Sequence, residues 1–283
     1  MLHIAEAAIL LGSDMFQTRR EFVVGTVRVV DCSASATPAP RRNGYKLIMA
    51  RSFKPSQVEE FFSRFAQANP RPRSELEYKN PYTLLVAVVL SAQATDKGVN
   101  KATAQIFPKI DSPEKMLRFG EGNLRDAIKT IGLYRNKAKN VIALSKALVE
   151  KHGGDVPKDR EQLEQLPGVG RKTANVVLNV AFGFPTIAVD THIFRVANRT
   201  GLAPGKTPRE VEDGLEKIIP DKFKQHAHHW LILHGRYICV ARKPNCPSCL
   251  VADLCRFQPK MQPAGAAADN ERKLIKAVRR VRS

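Results

Sequence analysis

Leu166-Pro167-Gly168-Val169-Gly170-Arg171-Lys172 reads as a glycine hairpin that delivers a lysine to the first turn of a helix. Glycines at 168 and 170 permit positive φ and a bare backbone, so amide N–H groups can point outward at a phosphate, as helix N-termini do. The positive helix end that attracts phosphate disfavours an ammonium ion. A half-buried Lys172 is therefore expected to supply neutral amine, a nucleophile. The same letters also fit a turn that caps an ordinary helix with a solvated lysine, and short glycine motifs recur by chance.

Two further stretches narrow the choice. Val189-Asp190-Thr191-His192 lies eighteen residues beyond Lys172, at a second expected helix start, where Asp190 taken alone is an N-cap. Cys239, Cys246, Cys249 and Cys255 form a C-x6-C-x2-C-x5-C array that places four soft ligands within seventeen residues. With a fifth cysteine far away at position 32, this is a metal-binding pattern rather than a secreted disulfide framework. Structural zinc held by four cysteines usually takes two C-x2-C knuckles and this chain has one; spacing alone leaves zinc and an iron–sulfur cluster both open.

A chain of 283 residues holds one large or two modest domains with a real core. Its formal net charge of +19 calls for a polyanionic partner, because each lysine or arginine near a phosphate releases counterions. Ribosomal and membrane-surface proteins share such a charge, so it narrows the class without naming a reaction.

The pattern along the chain is helical, with no convincing alternation of period two. Ser56-x-x-Glu59 reads as a capping box, followed at helix spacing by Val58, Phe61, Phe62 and Phe65. Asn80-Pro81 starts a helix whose body, Tyr82 to Leu90, is almost wholly apolar and belongs in the centre of a bundle; it is too short to span a membrane. Ser112-Pro113 and Thr207-Pro208-Arg209-Glu210 are further starts, and Gly153-Gly154 closes a helix carrying Ala138, Val141, Ile142, Ser145 and Leu148. His226, His228, His229 and His234 recur near helix spacing around Trp230. With no carboxylate cluster beside them, they read as core histidines rather than a second metal site.

Residues 53 to 258 resemble the endonuclease III family of DNA glycosylases in the helix-hairpin-helix superfamily. The resemblance rests on Leu90-Ser91-Ala92-Gln93-Ala94-Thr95-Asp96, Ile131-Gly132-Leu133-Tyr134, the run from Leu166 to Asn179, Ala188 to Asn198, His228 to Tyr237 and the cysteine array. It implies an all-α, two-domain fold: a six-helix bundle over residues 74–184, and a discontinuous domain of residues 49–73 and 185–258 carrying a [4Fe-4S] cluster on the four cysteines. It implies a bifunctional N-glycosylase and abasic-site lyase that removes oxidised pyrimidines from double-stranded DNA, in which Lys172 attacks C1′ and Asp190 assists. Gln93 and Leu133, with Ile131 and Gly132 in the same loop, would fill the gap left by an everted nucleotide. Leu166, Gly168, Val169, Gly170, Arg171 and Thr173 would meet the DNA backbone, as would Arg242 and Lys243 of the cluster loop. Ser91, Asp96 and His192 would line the base pocket. Without the resemblance, Leu133 reads as a core residue and Gln93 as a polar helix end.

Other readings explain less. An adenine-specific mismatch glycosylase typically lacks the hairpin lysine, a non-catalytic DNA-binding module does not require Asp190, and an electron carrier accounts only for the cysteines. The ends depart from the family pattern. Residues 1–48 read as a flexible extension, and residues 259–283 as a basic tail. Monomeric action in the cytoplasm, at the nucleoid, is expected.

Overall fold

The computed structural model describes residues 52–261; the expected N-terminal extension, Cys32 and the tail beyond residue 261 lie outside them. Among the described residues there are eleven α-helices and no strand. Proline punctuates the starts. Helix α1 (Pro55–Ala68) has Pro55 at its first position and Lys54 as an extended N-cap, because a residue before proline is pushed out of the helical region. The Ser56–Glu59 capping box is thereby corrected. Gln57 does that work, its side chain accepting the Lys54 N–H at 3.0 Å. Helix α2 (Pro81–Ser91) starts on a reciprocal pair: Asn80 Oδ1 accepts the Thr83 N–H at 2.9 Å, and Thr83 Oγ1 accepts the Asn80 N–H at 3.0 Å.

All of α2 from Tyr82 to Leu90 is buried, as its apolar run requires. Around it pack α3 (Asp96–Thr103), α6 (Tyr134–His152) and α8 (Arg171–Phe182), while α4 (Pro113–Phe119) and α5 (Glu121–Ala127) lean on α6, and α7 (Arg160–Glu164) on α8. Seven helical segments thus occupy the range in which six were expected; Gly120, at φ +81, separates α4 from α5 with no intervening loop. Their interior is one aliphatic core reaching from Leu76 to Leu178.

A second core joins α1 to α9 (Thr191–Thr200), α10 (Pro208–Ile218) and α11 (Asp221–Tyr237). It is aromatic at its centre: the rings of Phe61 and Phe62, Phe62 and Phe223, and Phe223 and Trp230 lie 5.3, 6.0 and 6.2 Å apart. Trp230 Nε1 donates to the carbonyl of Asn69 at 2.8 Å, tying α11 to the end of α1. Helix α8 belongs to the first core and also grips the crossing to the second. The Asn179 Nδ2 group donates to the carbonyls of Phe184, Thr186 and Gln225 at 3.0–3.1 Å. Buried amides of this kind are stable only when satisfied, so they fix how α8 meets the next strand of chain.

Candidate functional site

The hairpin between α7 and α8 is held from inside. Leu166 and Val169 are buried in the first core, and Gly168 stands at φ +77, where a Cβ would lie 2.9 Å from the Asn140 side chain. Gly170 does not use the positive φ that glycine permits. It is an extended N-cap at φ −101 with no side-chain capping bond, and a Cβ there would meet no protein atom within 4 Å. Its bareness therefore serves the outside of the protein, leaving the first N–H groups of α8 open to an anion. Arg171 is turned toward the protein: Nε and Nη2 donate to Glu212 Oε1 at 2.9 and 2.7 Å. Asn175 Nδ2 donates to the same oxygen at 3.1 Å. Thr173 is half-buried on the same turn.

Lys172 and Asp190 line one cavity, together with Ser91, Asp96, His228 and His229. Each comes from the start of a helix, Lys172 from the first turn of α8 and Asp190 from the N-cap of α9. Lys172 is exposed rather than half-buried as expected, because that first turn stands at the open mouth of the groove. Asp190 Oδ1 accepts the N–H groups of His192 and Ile193 at 2.9 and 2.8 Å, so the cap fixes the carboxylate and commits one of its oxygens. The N-cap reading of Asp190 holds, and the cap leaves the carboxylate lining the cavity of Lys172.

A wider cavity adjoins this one through Glu75, Asp96 and Arg236, and His192 and Tyr237 line it. Asp96 accepts from Arg236 Nη1 at 2.5 Å; Glu75 accepts from both Arg236 and Tyr237. Burial works to raise the Glu75 carboxyl, but its bonds to Tyr237 and Arg236 hold it below the usual range. Ser91 Oγ donates to the Val88 carbonyl at 2.8 Å. His192 Nδ1 lies 3.3 Å from Arg195 Nη2, and its backbone packs so close to α11 that a Cβ on Gly235 would fall 3.0 Å from its carbonyl oxygen. Arg236 and Tyr237 lie within the family-like stretch from His228 to Tyr237, which by itself gives them no role, and Glu75 lies in no motif; the three gather only when α11 crosses the loop before α2.

Gln93 and Leu133 share a feature no sequence pattern announces. They are the two non-glycine residues at positive φ among the described ones, at +54 and +58. That conformation is costly for ordinary side chains and concentrates at functional sites. Their loops adjoin, a Cβ on Gly132 falling 3.7 Å from the Gln93 carbonyl oxygen. Leu133 is 56 % exposed, so it is no core residue, whereas Ile131 is buried and has only its backbone to offer.

The four cysteines converge. Cys239 is buried, Cys246, Cys249 and Cys255 are half-buried, and all four line a cavity walled by His234, Ile238, Pro244, Ala252 and Phe257. Among the described residues, no three His, Cys, Asp or Glu groups draw together closely enough to hold a single metal ion. Burial, then the charges of the neighbouring thiols, pushes the Cys249 thiol up to about 11, partly offset by a hydrogen bond from the Val251 backbone, and burial likewise raises Cys255. Arg199 and Arg195 hold the start of the loop, with Arg199 Nη1 donating to the Val240 carbonyl at 2.8 Å and Arg195 Nε to that of Cys239 at 2.9 Å. Arg242 and Lys243 follow, both exposed. His228, His229 and His234 are buried as core residues, whereas His226 is only half-buried. Burial, reinforced by the charges of His229, Lys172 and Arg236, depresses His228 to about 3; burial and His226 depress His229 to about 4.

Residues 86–221 match the model of the HhH-GPD superfamily base excision DNA repair proteins. The chain is 58 % identical over 203 residues to an endonuclease III of Haemophilus influenzae, covering 72 % of this chain and 96 % of the relative. It is 57 % identical over 202 residues to endonuclease III of Escherichia coli, covering 71 % and 96 %. Among solved structures, a trapped endonuclease III–DNA covalent intermediate superposes with a TM-score of 0.68 at 47 % identity, covering 72 % of this chain and 96 % of that one. A thermostable thymine-DNA glycosylase superposes with a TM-score of 0.63 at 26 % identity, covering 71 % and 96 %.

Proposed function

Because the chain belongs to the endonuclease III family of helix-hairpin-helix base-excision repair proteins, we propose that its groove cuts damaged DNA through a lysine Schiff base. The enzyme is a bifunctional DNA glycosylase and abasic-site lyase. The observation that carries the chemistry is the convergence of Lys172 and Asp190 on one cavity from the starts of two successive helices. Lys172 Nζ bonds to C1′ as the bond from C1′ to the base breaks, and the departing base takes a proton from solvent. The free Asp190 oxygen takes a proton from Lys172 and faces the positive charge that develops on the sugar. Opening of the sugar ring, as the proton on Asp190 passes to O4′, gives an iminium ion, which acidifies the C2′ proton. Loss of that proton expels the 3′ phosphate by β-elimination, and hydrolysis of the imine frees Lys172.

The substrate read for this groove is an oxidised or ring-saturated pyrimidine, or an abasic site, in duplex DNA. Eversion of the nucleotide is supported by the strained, exposed pair Gln93 and Leu133, which stand ready to enter the gap. The bare turn at Gly170 suits a phosphate. Arg171 supports the hairpin through Glu212 rather than reaching for DNA itself. Ser91 and Asp96 share the lysine's cavity and His192 the adjoining one, so all three fit a base pocket. The two hydrophobic cores support dividing the chain into the bundle of residues 74–184 and a discontinuous domain of residues 49–73 and 185–258.

Cys239, Cys246, Cys249 and Cys255 would hold a [4Fe-4S] cluster. Four thiols lining one cavity supply the all-thiolate donor set that such a cluster takes. When bound, it would fix the loop that presents Arg242 and Lys243, with all four protein ligands committed and no position left for hydrolysis. No helix among the described residues is long and apolar enough to cross a membrane; we read the protein as acting as a monomer on the chromosome in the cytoplasm. Borohydride reduction in the presence of a duplex with one oxidised pyrimidine should trap the wild-type chain covalently. Lys172→Ala should form no adduct while still binding an abasic-site duplex, and an adduct persisting in that variant would overturn the assignment.

A further inference from the structure

His234 has contacts that the family reading leaves unused. It stands in the last turn of α11, 5 % exposed, its ring edge-on to Phe65 with centroids 5.2 Å apart. It also forms part of the wall around the four thiols. It touches two different cysteines. Its main-chain carbonyl accepts the Cys239 N–H at 2.7 Å, and its ring Nε2 lies 3.6 Å from Cys249 Sγ. A metal-bound thiolate has lone pairs and no proton, so the imidazole must be the donor in that contact, which fixes its proton on Nε2.

We propose that His234 is an N–H···S donor to the iron–sulfur cluster through Cys249, and that it sets the cluster's reduction potential; this rests on the cluster reading above. A donor aimed at a ligand sulfur draws off negative charge and favours the reduced, more negative state of the cluster. The placement is rigid. Phe65 fixes the ring, and the helix that carries it also carries His228 and Arg236 into the DNA-cutting groove. Arg199 also approaches a ligand, with Nη1 3.5 Å from Cys239 Sγ. That guanidinium additionally donates to the carbonyls of Val240 and Ala241, at 2.8 and 2.9 Å. His234 is the contact in which a single side chain can be exchanged without releasing the start of the loop.

The test is mediated redox titration of the full-length holo-protein, after iron and acid-labile sulfide have been assayed. His234→Phe should keep wild-type iron and sulfide while its midpoint potential moves negative. His234→Gln, which restores an N–H, should bring the potential back toward wild type. An unchanged midpoint in cluster-replete His234→Phe overturns the proposal. Should His234→Phe fail to load its cluster, the wild-type protein labelled with 15N-histidine decides the matter: a hyperfine coupling from a histidine nitrogen to the paramagnetic cluster supports the proposal, and its absence refutes it. Wild-type protein that binds no iron and sulfide refutes the cluster reading itself, and the initial assay shows this before any variant is compared.

Discussion

The hairpin at 165–170 and the cysteine loop at 239–255 are both short irregular segments that follow a helix, yet they hold their shapes by different means. The hairpin inserts Leu166 and Val169 into an aliphatic core, places its left-handed turn at Gly168 and is pinned behind by Arg171 on Glu212. The cysteine loop, nearly three times as long, buries Val251, Pro244 and Cys239, while Leu250 is exposed and three of its four thiols are only half-buried around a shared cavity. A turn closed on its own side chains folds with its lobe. A loop closed on four thiols folds with whatever those thiols hold.

The largest effect expected from this contrast comes from stripping the proposed cluster with an oxidant and chelator. Amide protection over residues 239–255 should fall by several kcal/mol, since the binding energy of a structural metal group is folding energy. Amides of the hairpin and α8 should change little. Hydrogen exchange read by mass spectrometry checks both at once, and parallel opening of the hairpin would break the comparison. Next comes Glu212→Ala. It removes the acceptor shared by Arg171 and Asn175, and Glu212 has a side chain only 6 % exposed. Breaking such a pair is expected to cost about 2–3 kcal/mol, below the fully buried range because Arg171 keeps access to water. The urea midpoint measures it, and affinity for an abasic-site duplex should weaken as the start of α8 loosens.

The two hairpin glycines then separate fold from function. Gly168→Ala meets both a positive φ and the Asn140 side chain at 2.9 Å, so it should cost about 1–3 kcal/mol. Gly170→Ala has ordinary φ and open space. It should cost less than about 1 kcal/mol, yet weaken DNA binding, because the added methyl stands where a phosphate would approach. Thermal unfolding and a binding titration on the same two variants decide this; equal stability losses would show that Gly170 serves the fold after all.

These two glycines also mark how far the sequence could be read. Proline starts, the apolar run of α2 and the aromatic stripe of α1 are local signals, and they placed elements because each depends on residues within a turn or two. The pairing of Lys172 with Asp190, the gap-filling role of Gln93 and Leu133, and the cysteines as one ligand set are expectations from motif resemblance; in the structure the first two line one cavity, the second two stand at positive φ, and the four thiols line another cavity. What stayed hidden depends on distant crossings. Both hairpin glycines permit a positive φ, but only Gly168 of the two adopts one, and the letters do not say which glycine carries the turn. Lys172 was expected half-buried, because the openness of a groove is a property of two lobes. Arg171, expected at the DNA backbone, is also tied to Glu212, forty-one positions later, a pairing that no local pattern announces. Glu75, Arg236 and Tyr237 line the groove from opposite ends of the chain, and no periodicity links them.

The smallest effect sharpens the contrast from the helix that joins its two sides. Helix α11 runs from the groove, where His228 and His229 line the cavity of Lys172, to the start of the cysteine loop. Burial, and for His228 the charges of His229, Lys172 and Arg236, holds the folded pKa values of His228 and His229 at about 3 and 4. The unfolded value is about 6.5. A depressed imidazole leaves stability intact above its unfolded pKa and removes it as pH falls, because the unfolded chain then binds a proton that the folded chain refuses. Between pH 7 and 5.5 each of the two should therefore subtract about 1 kcal/mol. Urea unfolding at constant ionic strength should show the decline, and His228→Gln should flatten it by about half whatever its own stability. Because both imidazoles sit on α11, exchange protection there should weaken at pH 5.5 while the hairpin turn at Gly168, with no buried histidine of its own, holds; a uniform loss across both would mean that the two regions open as a single unit.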